Sequence, residues 1–217
     1  MDIFVVLQQA IEYIADPRNG FVDSVMTHLK LSGVALAVAV AVGVPAGIWI
    51  SYHEVLARVV INVAGVLRVV PALAVLFLLL PSQGIGFRPA VIALTVLAIP
   101  PLLINTQAGM RNVAPAVVEA AQGMGMSGWT LLRRVRVPLA MPAMLGGLRI
   151  ATVEVVASAT LATLIGGGGL GDLIAAGLSL NRAHIILAGA LPTALMAFGA
   201  DAVLSYAEKF LRRTVGT

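Results

Sequence analysis

From Val34 to Ile48 the chain reads VALAVAVAVGVPAGI, a run without one polar side chain. Four other stretches share this character, so that apolar segments cover about 25–50, 56–80, 89–109, 139–165 and 183–206. A helix needs about 20 such residues to cross a bilayer. Only 11% of the 217 residues are charged and 59% are hydrophobic, whereas a soluble domain carries about 25% charged residues. The sequence predicts an all-α, polytopic membrane protein with about five transmembrane helices. The formal charge of +4 does not point to nucleic acid, because no basic patch is interleaved with aromatics and the arginines flank apolar runs. Cysteine is absent, which excludes disulfides and thiolate metal sites.

The first residues, to Arg18, mix Ile3, Phe4, Ile11 and Ile14 with Gln8, Glu12 and Asp16. They are too short and polar to span and lack the pattern of a cleaved signal. An interfacial helix ending before Asp16-Pro17 is expected, within an N-terminal segment 1–24. In the first span Gly43 and Gly47 form a small-xxx-small pair, read equally as a helix contact or as ordinary membrane composition. Pro71 should bend the second span, and Pro100-Pro101 should break the third. Pro81 to Gly86 reads as a tight outer turn. The glycines from Gly166 to Gly171, followed by Asp172, lack the lysine of a phosphate-binding loop and read as a flexible outer or re-entrant turn.

One polar, basic island interrupts the apolar pattern: Glu119 to Pro138, EAAQGMGMSGWTLLRRVRVP. Pro115 suits the first position of a short helix, and Glu119 follows within about a turn, where the helix dipole favours an anion. The alanines favour a stiff rod, and Gly123, Gly125 and Gly128 offer a turn after it. With this island inside, Arg58, Arg111, Arg133, Arg134, Arg136, Lys209, Arg212 and Arg213 face the cytoplasm, against Arg18, Lys30, Arg88 and Arg182 outside. That asymmetry predicts N-terminus out, C-terminus in.

Glu119-Ala120-Ala121, Gly125 six residues after the glutamate, and Val135-x-Val137-Pro138 resemble the EAA loop of ABC importer permeases. The departures are valines at 135 and 137, where isoleucine and leucine are usual. Five spans with this loop between the third and fourth resemble the core of type I importer permeases. The run ASATLATLIGGGGLGDLI, from Ala157 to Ile174, with Asn105-Thr106 and Gly109, is similar to permeases for glycine betaine, choline, carnitine and related osmoprotectants. The likeness covers roughly 25–210, with a coupling loop at 115–138 and a cytoplasmic tail at 211–217.

The resemblance implies a subunit of the cytoplasmic (inner) membrane without an ATPase site of its own. Glu119, Ala120, Ala121, Gly125, Met126, Val137 and Pro138 would couple to separate ABC ATPase subunits, which bind the ATP and Mg2+. A second permease copy or paralogue would complete the path, and a separate extracytoplasmic solute-binding protein would dock on the outer loop at Gly166, Gly169, Gly171 and Asp172. Arg68, Pro71, Asn105, Glu154 and Ser158 are the translocation-path candidates. Arg68 and Glu154 depart from the uncharged residues usual in that branch. A charge at mid-bilayer costs about 2.5–3.5 kcal/mol on insertion scales, so the two are expected to pair, with Arg149 a less well-placed rival for Glu154.

Other classes are open at this point. An importer for another small solute, such as an amino acid, would share the loop. A channel or secondary transporter would share the broken helices but have no use for a docking helix. An intramembrane enzyme would need a catalytic set: Ser158 and Asp201 have no evident partner, and His28, His53 and His184 read as solvated interfacial groups.

Overall fold

A computed structural model describes residues 3–215. Met1, Asp2, Gly216 and Thr217 lie outside the described residues, and with them the ends of the expected segments 1–24 and 211–217. Among the described residues every regular element is helical. The helices are α1 (Ile3–Ala15), α2 (Phe21–Ile50), α3 (Glu54–Leu67), α4 (Ala72–Gln83), α5 (Phe87–Arg111), α6 (Pro115–Gly123), α7 (Gly128–Leu131), α8 (Val137–Ser158), α9 (Leu170–Ser179) and α10 (Ala183–Val215). A π turn (Leu132–Arg136) joins α7 to α8, and a 3-10 segment (Ala159–Ile165) prolongs α8.

Among the described residues four helical runs are long and apolar enough to cross a membrane, and a fifth span exists if α3 and α4 count as one broken crossing. The break runs from Arg68 to Pro71, so Pro71 does not bend a continuous helix but stands as the cap of a new one. The double proline behaves the opposite way. α5 continues through Pro100 and Pro101 without interruption; Leu97 and Ala98 before them and Leu102 and Leu103 after them are buried, each pair within its own compact unit. That packing outweighs the two missing N–H donors. At the outer turn α4 carries through Pro81 to Gln83, leaving a connection shorter than expected.

α1 stops at Ala15, as the sequence predicts. Asp16 then caps a 3-10 turn (Pro17–Asn19), its carboxylate accepting from the Arg18 N–H at 3.0 Å and from the Arg18 guanidinium at 2.7 Å. Those hydrogen bonds hold the Asp16 carboxyl down to about 2. α2 starts at Phe21, earlier than the expected Val25.

The chain divides into two compact units, each assembled from pieces of the same long helices. The first comprises 1–38, 70–98 and 152–200. Its core includes Leu31, Leu76, Leu94, Val155 and Ile165, all fully buried or nearly so. Tyr13, Phe21 and Val25 pack on Leu170, Leu173 and Ile185, which ties the N-terminal helix to α9 and α10. His28 is also in this core, 0% exposed, with Nε2 3.0 Å from the Val156 carbonyl. The expectation of a solvated histidine is therefore wrong: a segment end in sequence is here covered by α8 and the glycine loop.

The second unit comprises 39–69, 99–151 and 201–217. Small residues set its helix spacing. A Cβ on Gly47 would come within 2.7 Å of Thr106 Cβ, and one on Gly43 within 3.2 Å of Leu102 Cβ. The small-xxx-small pair is thus a packing contact between α2 and α5. Gly109 against Ala143, and Gly147 against Asn105, would both close to 2.8 Å, bringing α8 equally near to α5. Backbones this close gain dispersion contacts and need no apolar driving force from water.

Candidate functional site

The polar island folds as a short helix, a turn and a second helix start. Pro115 occupies the first turn of α6 as expected. Val118 and Ala121 face inward, forming with Val113 and Leu131 a small core on which Met126, Val135 and Leu139 pack. Glu119 and Ala120 consequently face outward. The triplet is split by helical geometry: its third residue anchors the rod and its first two lie on the exposed face. Gly125 has φ +79°, a left-handed turn that glycine adopts without strain, whereas Gly123 and Gly128 do not share it. Ser127, which sequence reasoning passed over, caps α7 by accepting from the Thr130 N–H at 3.4 Å. The signal was a serine three residues before a threonine at a helix start.

A polar notch of about 410 Å³ opens beside α6, walled by Ser51, Arg111, Pro115, Glu119, Gln122 and Arg136. Arg136 lies over the Tyr52 ring, 5.0 Å from its centroid. Glu54, at the start of α3, sits between Arg58 at 3.6 Å and Arg111 at 3.9 Å. Val137 and Pro138 begin α8, so the loop passes without a gap into the helical run Gly128–Ile165.

The outer-loop candidates come together in the first unit. The Gly86 N–H donates to the Ile165 carbonyl at 2.7 Å, joining the turn before α5 to the glycine run. The glycines do more there than provide flexibility. Gly169 lies on His28, where a Cβ would be tight at 3.3 Å, and Gly171 on the Thr160 carbonyl, where a Cβ has no room; of the three glycines proposed for this loop only Gly166 is exposed. They are a close-packed seam, which corrects the reading of a flexible turn. The Thr163 hydroxyl donates to the Asp172 carboxylate at the start of α9, a helix hidden from sequence reasoning by its glycine-rich flanks.

Arg68 and Asn105 belong to the second unit, and Pro71, Glu154 and Ser158 to the first. Arg68 is exposed at the end of α3, while Glu154 and Ser158 are half-buried. The Asn105 side-chain amide donates to its own helix, at the Pro101 carbonyl, 2.8 Å away. Arg149 pairs with Asp201, through bonds of 2.5 and 3.0 Å. Asp201 therefore has a partner, 52 residues away in sequence, and the sequence carries no local pattern that reveals it.

A polytopic, all-helical chain with a short helix exposed on one face between the long runs Phe87–Arg111 and Gly128–Ile165 has the fold of a type I ABC importer permease. Solved structures agree: an inward-facing form of the methionine ABC transporter MetNI matches with TM-score 0.78 over 93% of this chain and 99% of that one, at 20% identity. An amino acid ABC transporter crystallised with histidines matches with TM-score 0.68 at 23% identity, over 87% of this chain and 92% of that one.

The chain belongs to the family described as binding-protein-dependent transport system inner membrane component, which it matches over residues 39–213. It is similar to the carnitine transport permease protein OpuCB of Listeria monocytogenes, 41% identical over 83% of each chain. The glycine betaine/carnitine/choline transport system permease protein OpuCB of Bacillus subtilis is 37% identical over 84% of each. The osmoprotectant import permease protein OsmW of Salmonella typhimurium is 35% identical, over 89% of this chain and 93% of that one.

Proposed function

We propose that this chain is the permease subunit of an ATP-driven importer for osmoprotectants such as glycine betaine, choline or carnitine. The observation that carries the importer reading is α6, a docking helix anchored through Val118 and Ala121 with Glu119 and Ala120 turned outward. The solute class rests on relatives 35–41% identical that are named for carnitine, glycine betaine, choline or osmoprotectant transport. The amino-acid structures do not favour a different solute, since at 20–23% identity they bear on fold alone.

In this reading the EAA segment, from Glu119 through Met126 to Val137-Pro138, receives a separate ATPase that binds ATP and Mg2+. A second copy or a paralogue supplies the other half of the path. In this reading the C-terminus and coupling loop lie in the cytoplasm and the N-terminus outside, an orientation supported by the excess of arginine and lysine on the loop's side. The joined turns around Gly86, Gly166, Gly169, Gly171 and Asp172 receive the solute-loaded binding protein. ATP-driven closure of the motor moves the docking helices and opens the path outward, and hydrolysis resets it. Arg68, Pro71, Asn105, Glu154 and Ser158 are proposed path residues, with Arg68 and Glu154 carrying its charge.

The solute is tested by uptake into cells whose other osmoprotectant importers are deleted. Accumulation of labelled glycine betaine, choline or carnitine that depends on this chain is the expected result, strongest at high external salt. Accumulation of histidine or methionine, with none of the three, would assign the chain to amino-acid import instead.

A further inference from the structure

The Arg149 and Asp201 side chains form a two-bond, long-range contact within the second unit. Arg149 stands on α8, and its Nε and Nη2 donate to separate oxygens of the Asp201 carboxylate on α10, at 2.5 and 3.0 Å. A second charge lies close by. Gly146, one turn earlier on α8, leaves room for Glu208, whose two carboxylate oxygens lie 3.9 Å from where a Cβ on Gly146 would be. Asp201 and Glu208 are two turns apart and so share a face of α10. Glu208 in turn accepts from Arg212 at 2.9 Å.

The position of this contact matters more than its strength. α8 leaves the coupling loop without a gap, and Val135 and Leu139 pack on the same small core as Val118 and Ala121. The docking helix and the base of α8 therefore form one packed body. Arg149 is twelve residues beyond Val137, about 18 Å along the helix. α8 stays helical from Val137 through Pro142 to Arg149, so one helix links the base of the loop to the ion pair.

We propose that Arg149 and Asp201 are positioning residues of the transport cycle, making α10 follow α8 when the ATPase moves the coupling loop. This rests on the importer reading above. Apolar side chains tolerate sliding past one another, whereas a two-bond guanidinium–carboxylate contact is satisfied in one register only. A one-turn slip, about 5.4 Å, breaks both bonds. Both residues lie within apolar spans, where separated charges are costly, so the pair persists while the helices move.

The test uses the complete importer, reconstituted in proteoliposomes with its ATPase and binding protein, and follows glycine betaine uptake and ATP hydrolysis together. Removing one charge alone risks misfolding, so the variant is the apolar double substitution Arg149→Met with Asp201→Leu, of a kind that folds readily. The expected result is a complex assembled in normal yield that hydrolyses ATP but uses about tenfold more ATP per solute moved. Exchanging the charges, Arg149→Asp with Asp201→Arg, is expected to recover part of the loss. An unchanged ratio in the apolar double variant, or uptake and hydrolysis falling together in step with lost assembly, overturns the proposal. Absence of ATP-driven uptake by the unaltered complex overturns the importer reading and the proposal with it.

Discussion

Replacing Glu119 with lysine is expected to strip the ATPase from the purified chain while leaving the chain folded. Glu119 is exposed on α6 and has no structural contact to lose, because the inward face is made by Val118 and Ala121. A reversed charge at a docked interface costs roughly 2–5 kcal/mol, which is about a thirtyfold or greater loss of affinity. Gly125→Arg should give the same outcome for a different reason. Its φ of +79° makes any side chain strained by about 1–2 kcal/mol, but nothing lies within 4 Å of the added Cβ. The chain therefore tolerates the arginine and the partner does not. Ala121→Arg is the contrast: Ala121 is 3% exposed, so that variant loses the rod itself. Pull-down of the detergent-solubilised chain, with unfolding followed in parallel, separates the three. Retention of the ATPase by both Glu119→Lys and Gly125→Arg would remove α6 as the docking element.

The second large effect is expected in the outer seam. Gly171→Val should destabilise the chain by about 3 kcal/mol or more, because the new Cβ meets the Thr160 backbone carbonyl rather than a side chain that can rotate away. Gly166→Ala, five residues earlier in the same glycine run, should cost only about 1 kcal/mol. Its nearest neighbour to an added Cβ is the Gly86 nitrogen at 3.6 Å, an ordinary contact, and the penalty is that of its left-handed φ of +72°. Thermal unfolding in detergent measures both. Equal, small losses would mean that the run is a loose turn after all.

The glycine run shows where sequence reading ends. Gly166 and Gly171 look alike in the chain, and the difference between them depends on Thr160 and Gly86 being brought alongside. What was legible obeys local rules. The apolar runs reveal the spans because lipid sets their length, and Asp16-Pro17 ends α1 because a capping carboxylate and a fixed φ stop a helix there. Pro115 marks the start of α6 for the same kind of reason.

What was not legible is tertiary. Pro100-Pro101 reads as a break, and burial of the residues on either side keeps the helix whole. His28 reads as a surface group until Val156 and Gly169 are placed against it. Arg149 and Asp201 look like stray charges, and their match is visible only when α8 and α10 lie together. Of the segment 115–138, a short helix followed by a glycine turn was readable, but not that Gly125 rather than Gly123 or Gly128 takes the left-handed φ. The inward role of Ala121 follows from the helix phase set by Val118 and Leu131.

The central claim is that this chain is a permease moved by a separate motor. The most direct measurement is uptake of labelled glycine betaine, choline and carnitine into proteoliposomes, omitting in turn the ATPase, ATP and the binding protein. Uptake that needs all three is the predicted result. Uptake by the chain alone, driven by an ion gradient or running down the solute gradient, would contradict it and make the chain a secondary transporter or a channel.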